Sequence, residues 1–318
     1  MKQTDKIFIA GSRGLVGSAL VRRLKKRGFP HLLTPSHAEL DLMDTRAVAA
    51  YFTKTKPDHV FLAAAKVGGI LANSTYPADF IFQNLVIQNN IIHQSFVHKV
   101  KKLLFLGSSC IYPKLCPQPM KEEHLMTGVL EPTNSAYAVA KIAGIEMCWA
   151  YNRQHGTKFI PVMPTNLYGP NDNFDLETSH VLPALIAKFH EAKQKRHPSV
   201  TVWGTGTPKR EFLHVDDLAD ACLLIMTKIF SDEDYKSNPL FNIGTGKDVS
   251  IKELAELIKK ITGFEGNIVY DPSKPDGTPR KLLDVSKMNN LGWQARTSLE
   301  KGIETAYAAF LEIRSNRS

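Results

Sequence analysis

Short apolar runs separated by longer stretches of helical periodicity set the rhythm of this chain. Lys6-Ile7-Phe8-Ile9-Ala10 is a run of strand type, and residues 15–27 then carry apolar side chains at helical spacing until Gly28. Leu32-Leu33 is a second short run, residues 59–63 read as a buried strand, and residues 82–98 as a long helix. Residues 102–109 form the next strand, 134–152 the next helix and 159–163 another strand. Such alternation predicts an α/β chain built on a doubly wound parallel Rossmann sheet.

Past Gly169 the rhythm loosens. Residues 210–217 begin a further segment in which Asp216 or Asp217 is expected to cap a helix running through Ile225. Residues 241–244 read as a short strand and 251–262 as an amphipathic helix. Loops near Asp175, near Ser199 and over 272–280 interrupt the alternation and predict a smaller α/β substrate-binding lobe. The expected division gives residues 1–165 and 212–246 to the Rossmann domain, and 166–211 and 247–318 to the lobe.

The first strand leads into Gly11-Ser12-Arg13-Gly14-Leu15-Val16-Gly17, and a helix follows at once. In this strand, turn, helix order Gly11 permits the tight turn and Gly14 lets backbone approach a pyrophosphate. Gly17 lets the helix pack on the strand, and the helix N-terminus supplies the anion site. The G-x-x-G-x-x-G spacing is one residue wider than the usual dinucleotide fingerprint. An NAD site usually carries an acid about 20 residues past the glycines. Here Thr34-Pro35-Ser36-His37 holds none, while Arg13 can pair with a 2′-phosphate. The pattern therefore predicts NADP(H), with Arg13 as its main ligand and Ser36 or His37 as helpers.

Tyr137 and Lys141 stand at i and i+4 of a predicted helix, so they share one face. The ammonium is expected to lower the Tyr137 pKa and make the phenol a proton donor to a sugar or alcohol oxygen. Ser108, at the end of a predicted strand, is placed to donate a second hydrogen bond to that oxygen. Cys110 lies two residues further on, and in an extended segment it points the same way.

Composition adds exclusions. With 318 residues and 43% hydrophobic content the chain can bury a large core. No run approaches the roughly 20 apolar residues of a membrane span, and the chain enters its first strand without a signal-peptide pattern, which predicts a cytoplasmic protein with no membrane partner. Cys110, Cys116, Cys148 and Cys222 form no C-x-x-C pair, so no metal site is expected. The net charge of +9 suits an anionic ligand, but much of it sits in runs such as 99–102 that read as solvated faces. Without an aromatic-rich basic module, no nucleic-acid partner is expected.

The glycine turn, the Ser108, Tyr137 and Lys141 set, Pro164-Thr165-Asn166 and Arg210-Glu211-Phe212-Leu213-His214-Val215-Asp216-Asp217 make the chain resemble the extended short-chain dehydrogenase/reductase superfamily over nearly its whole length. Residues 63–70, 107–114 and 274–281 are similar to longer motifs of its sugar-nucleotide epimerase-reductases, which act on GDP-4-keto-6-deoxy-D-mannose. The resemblance implies 3,5-epimerisation followed by NADPH-dependent reduction of the 4-ketone, giving GDP-L-fucose. It implies catalytic roles for Ser108, Cys110, Tyr137, Lys141 and His180, with Cys110 and His180 as the epimerisation pair. It also implies that NADP(H) is held by Gly11, Ser12, Arg13, Gly14, Leu15, Val16 and Gly17, by Leu106, Gly107, Ser108 and Ser109, by Lys141, by Pro164, Thr165, Asn166 and Leu167, and by His180. Lys188, Trp203, Arg210 and Asp276 match the nucleotide-sugar ligands, and relatives commonly form homodimers through two long helices, here 82–98 and 134–152. Other sugar-nucleotide 4-ketoreductases, 4-epimerases and 4,6-dehydratases share the fold, but Cys110-Ile111 stands where dehydratases carry acids. A non-enzymatic NADP sensor is disfavoured by retention of both Tyr137 and Lys141.

Overall fold

A computed structural model describes residues 1–176, 178–274 and 276–315. Pro275 of the 274–281 motif, and Glu177 and residues 316–318 of the expected lobe, lie outside the described residues. The strands are β1 (Ile7–Ala10), β2 (Leu32–Leu33), β3 (His59–Leu62), β4 (Lys102–Leu106), β5 (Phe159–Pro164), β6 (Asn166–Tyr168), β7 (Ser199–Trp203), β8 (Lys209–His214), β9 (Phe241–Ile243), β10 (Asp248–Ser250), β11 (Asn267–Asp271) and β12 (Arg280–Lys281). The helices are α1 (Leu15–Lys26), α2 (Thr45–Thr55), α3 (Ile70–Thr75), α4 (Pro77–Val97), α5 (Ser135–His155), α6 (Val181–Gln194), α7 (Val215–Thr227), α8 (Asp232–Lys236), α9 (Ile251–Thr262), α10 (Ser286–Asn290) and α11 (Leu299–Ser315).

A six-stranded parallel sheet runs in the order β2-β1-β3-β4-β5-β9. Side chains alternate across a strand, so β1 sends Ile7 and Ile9 into one core and Phe8 and Ala10 into the other. Leu20 and Leu24 of α1 with Leu218 and Met226 of α7 close the first face. Phe52 of α2, Ile91 of α4 and Ile145 of α5 close the second. Burial on both faces explains why the strands read as unbroken apolar runs. A second sheet runs β10-β8-β12 with β6 also paired to β8, and β7 and β11 form a separate parallel pair. With α6, α9 and α11 these strands enclose a third core around Phe189, Leu254 and Phe310.

Local details differ from the sequence reading. The long helix expected from residue 82 begins at Pro77, a proline in its first turn where the missing N–H costs nothing. Ser199 belongs to a strand, not a loop. The cap of α7 is His214, whose Nδ1 accepts from Asp216 N at 3.3 Å. Asp217 instead accepts from Arg296 N and Thr297 N. β4 ends at Leu106, and Ser109–Ile111 turn into a 3-10 helix, so Cys110 does not follow Ser108 in an extended segment. No helix among the described residues is long and apolar enough to cross a membrane.

Candidate active site

The carboxyl ends of β1, β4 and β5 open on the same sheet edge, where ligands bind in open α/β folds. After β1, Gly11 adopts φ +84°, and a Cβ there would press on Ala64 at 2.8 Å. A Cβ on Gly17 would overlap the Gly11 carbonyl, whereas Gly14 meets nothing closer than 3.6 Å and leaves room for a ligand. α1 starts without a side-chain cap and without an acid in its first turn, so its leading N–H groups are free for an anion. Ser12 Oγ is buried there without a hydrogen bond. These features fit a dinucleotide pyrophosphate.

The surroundings of Arg13 refine the cofactor reading. Arg13 is exposed, and its charge helps to hold the Glu39 carboxyl below its usual range, after the larger effect of hydrogen bonds from Ser36. Glu39 Oε2 accepts from both Ser36 N and Ser36 Oγ at 2.7 Å, which occupies the Ser36 side chain. His37 is exposed and lies 4.0 Å from Asp41. Of the expected 2′-phosphate ligands, Arg13 and His37 are therefore available to solvent and Ser36 is engaged.

Ser108 has extended backbone, and its Oγ accepts from Cys110 N at 3.3 Å. The 3-10 turn brings Cys110 back to the same cavity as Ser108 and Tyr137. Burial pushes the Tyr137 phenol well above its usual range, the nearby Cys110 adds to this, and a hydrogen bond with Ser108 opposes it. This corrects the expected effect of Lys141. Its Nζ turns to Leu106 O at 2.9 Å, lies 5.8 Å from the Tyr137 ring centroid, and burial lowers its own pKa to about 7. Desolvation overrides the charge pairing that helical spacing suggested. Lys141 supports the site from below and does not line the cavity.

The cavity encloses about 770 Å³ between the sheet edge and the second lobe. It is bordered by Ser108, Cys110, Tyr137, Asn166, Leu167, His180, Lys188, Trp203, Arg210 and Asp276, so ten of the predicted residues meet on one surface. His180 ends the loop before α6 and caps nothing with its side chain, which leaves the ring free. Water reaches the ring through the cavity, while the surrounding protein desolvates it and, with the Lys281 charge, lowers its pKa. Lys188 Nζ and Lys274 Nζ lie 5.1 and 5.7 Å from the Trp203 ring centroid, and Trp203 is 53% exposed. Burial also lowers the Lys188 pKa.

The other predicted residues stand behind this surface. Gly11 to Gly17, Leu106, Gly107, Ser109, Pro164 and Thr165 belong to the sheet edge and its turns and do not border the cavity. Thr165 Oγ1 and Asn166 Nδ2 both donate to Glu211 O, at 3.2 and 2.8 Å. The Asp276 carboxylate is taken up by the 204–207 turn, accepting from Thr205 N at 2.7 Å and Thr205 Oγ1 at 2.8 Å. Arg210 leans on the same segment, with NH2 3.4 Å from Asp276 O.

Three features went unassigned by sequence reasoning. Lys281 Nζ lies 3.9 Å from Cys110 Sγ and its charge reaches His180. Only its place in the 274–281 motif pointed to it. Glu131, Thr133 and Asn134 form a polar stretch of cavity wall immediately before the Tyr137 helix. Glu211 is fully buried, and its carboxylate accepts from Thr245 N at 2.6 Å, Gly246 N at 2.7 Å and Leu283 N at 2.9 Å. It ties β8, which carries Arg210, to the chain just beyond Lys281.

Comparison with known proteins agrees with this geometry. Residues 7–244 match the model of the NAD dependent epimerase/dehydratase family. The chain is similar to GDP-L-fucose synthase 1 of Arabidopsis thaliana, at 58% identity over 315 residues covering 99% of this chain and 96% of the relative. It is 55% identical to GDP-L-fucose synthase of Escherichia coli K12 over 311 residues, 97% of each chain. Among solved structures it resembles MlghC, a GDP-mannoheptose C4 reductase from Campylobacter jejuni with NADP bound, with TM-score 0.88 and 42% identity, covering 98% of this chain and 99% of that one. From its glycine turn to its Tyr137 and Lys141 helix, this chain belongs to the NAD dependent epimerase/dehydratase family, in the branch of the GDP-L-fucose synthases.

Proposed function

We infer that this chain converts GDP-4-keto-6-deoxy-D-mannose to GDP-L-fucose, by epimerisation at C3 and C5 followed by NADPH-dependent reduction at C4. The observation that carries the reading is that Cys110 and His180 share one cavity with Ser108 and Tyr137. Two proton-transfer groups and a ketone-binding pair in one pocket suit both stages. The volume of about 770 Å³ falls within the usual range of small-ligand sites.

Arg210 and Lys188 bind the diphosphate, the first as a fork of donors and the second as a point charge. Trp203 offers the nucleotide an exposed aromatic face, and Asp276 shapes this end of the site by fixing the 204–207 turn. Ser108 and Tyr137 hold the C4 ketone oxygen. That ketone acidifies the hydrogens on C3 and C5, so the Cys110 sulfur removes one as a proton while an enolate forms. Ser108 and Tyr137 stabilise the enolate oxygen, and Lys281 offsets the charge on sulfur. His180 returns a proton to the opposite face of the same carbon; Cys110 then releases its proton to solvent, His180 takes one up from it, and the second carbon follows by the same route. Its lowered pKa makes the protonated imidazole a better donor.

Bound NADPH supplies a hydride to C4. Gly11, Ser12, Arg13, Gly14, Leu15, Val16 and Gly17 hold its phosphates. Leu106, Gly107, Ser108, Ser109, Lys141, Pro164, Thr165, Asn166, Leu167 and His180 would hold the rest of the cofactor. Tyr137, kept protonated by burial, gives its proton to the C4 oxygen, which completes the addition of one hydride and one proton to the carbonyl. The enzyme works in the cytoplasm, which agrees with four free cysteines, and as a homodimer through α4 and α5, where Phe82, Val97 and Val139 stand exposed.

A 4-ketoreductase without epimerase activity is the second reading, favoured by the likeness to the GDP-mannoheptose C4 reductase. The test is NADPH oxidation with purified protein and GDP-4-keto-6-deoxy-D-mannose, with the product identified by chromatography. GDP-L-fucose supports the first reading, and a GDP-D-hexose establishes the second.

A further inference from the structure

Among the described residues, Asn134, Ser179 and Thr278 border the cavity with buried side-chain oxygens that have no hydrogen bond, as does Asn73 Oδ1, although Asn73 Nδ2 donates to Gly68 O and Gly69 O. Asn134 is the N-cap of α5, yet its side chain caps nothing, and its Oδ1 is shielded from water without a partner. Ser179, immediately before His180, holds its Oγ in the same condition. Buried polar groups in folded proteins are nearly always paired, so orphans on one cavity call for a ligand, and Asn134 and Ser179 are the two that stand closest in the chain to Tyr137 and His180. Glu131 on the same wall differs, because Lys114 Nζ lies 3.1 Å from its Oε2.

The chemistry of these two groups selects the ligand class. An amide and a hydroxyl are neutral and can both donate and accept, as sugar hydroxyls require, whereas the cations Arg210 and Lys188 border the same cavity and suit phosphate. Asn134 stands three residues before Tyr137, one helical turn away on the same face. Ser179 is the chain neighbour of His180 and stands beside the group that delivers the proton.

We propose that Asn134 and Ser179 bind the ring hydroxyls of the nucleotide-linked hexose, and so hold the ring between Tyr137 and His180. The proposal rests on the functional reading above and adds to it the residues that recognise the sugar rather than the nucleotide. Neither side chain contributes a hydrogen bond to the fold, so truncating them leaves the protein folded.

The test is calorimetric titration of NADP-saturated wild type, Asn134→Ala and Ser179→Ala with GDP-L-fucose and, separately, with GDP. The expected result is GDP affinity within about two-fold of wild type in both variants. GDP-L-fucose affinity falls roughly three- to ten-fold in each, the scale of one neutral hydrogen bond. If both ligands weaken equally, or neither does, the proposal is overturned while the functional reading stands. If wild type binds GDP-L-fucose no better than GDP, both fall together.

Discussion

Replacing Lys141 by methionine is expected to stabilise the folded chain while removing reductase activity. The side chain is 3% exposed, and burial lowers its pKa from 10.5 to about 7. At about 1.4 kcal/mol per pH unit, that difference costs the fold roughly 5 kcal/mol when the lysine is protonated. The folded state binds this proton more weakly than the unfolded chain does. The penalty is therefore full below pH 7 and fades as pH rises toward 10.5. Methionine fills a similar volume without a charge but leaves Leu106 O without its 2.9 Å donor, a loss of about 1–3 kcal/mol. The net expectation is a variant more stable by about 2–4 kcal/mol near pH 6, with the advantage shrinking above pH 7 and reversing between about pH 8 and 10. Urea unfolding of both proteins without nucleotide, at several pH values, measures it. A variant less stable than wild type near pH 6, or a difference that does not vary with pH, would refute the reasoning.

Two further outcomes follow from the same geometry. Tyr137→Phe is expected to slow reduction by about 10²–10⁴-fold, the usual worth of a positioned proton donor, with NADP affinity nearly unchanged. Stopped-flow oxidation of NADPH reads this, and an unaltered rate would show that the proton comes from elsewhere. Arg13→Ala is expected to bring the specificity constants for NADPH and NADH toward equality, because Arg13 is the permanent cation beside Glu39 and His37 is the only other expected 2′-phosphate ligand left open to solvent. A preference that survives the substitution would move the 2′-phosphate ligand to another residue.

Much of this site was legible because its parts sit on regular elements. β1, the glycine turn and α1 appear in sequence order, with Gly11 in the positive-φ turn as expected and Gly17 pressed on the backbone of that turn rather than on the strand. The bounds of α9 were readable because Ser250 caps it, Glu253 closes the capping box and Gly263 ends it. What periodicity could not reach were effects made by the third dimension. Helical spacing placed Lys141 beside Tyr137 but gave no measure of burial, which turned the ammonium toward Leu106 O and raised the phenol. The turn at Ser109–Ile111 replaced the expected extended segment yet still delivered Cys110 to the cavity. Asp276 matched a nucleotide-sugar ligand in sequence, and only the fold shows its carboxylate also holding a turn 71 residues earlier in the chain. Glu211 and Lys281 acquire meaning only through β8 and β12, a pairing of strands far apart in sequence.

The most direct test of the central claim is product NMR after wild type and Cys110→Ser react with GDP-4-keto-6-deoxy-D-mannose and NADPH in deuterated water. The account predicts deuterium at both C3 and C5 of GDP-L-fucose from wild type, and loss of this incorporation in the variant. Reduction by wild type without deuterium at either carbon would contradict it, and the cavity would then be that of a simple 4-ketoreductase.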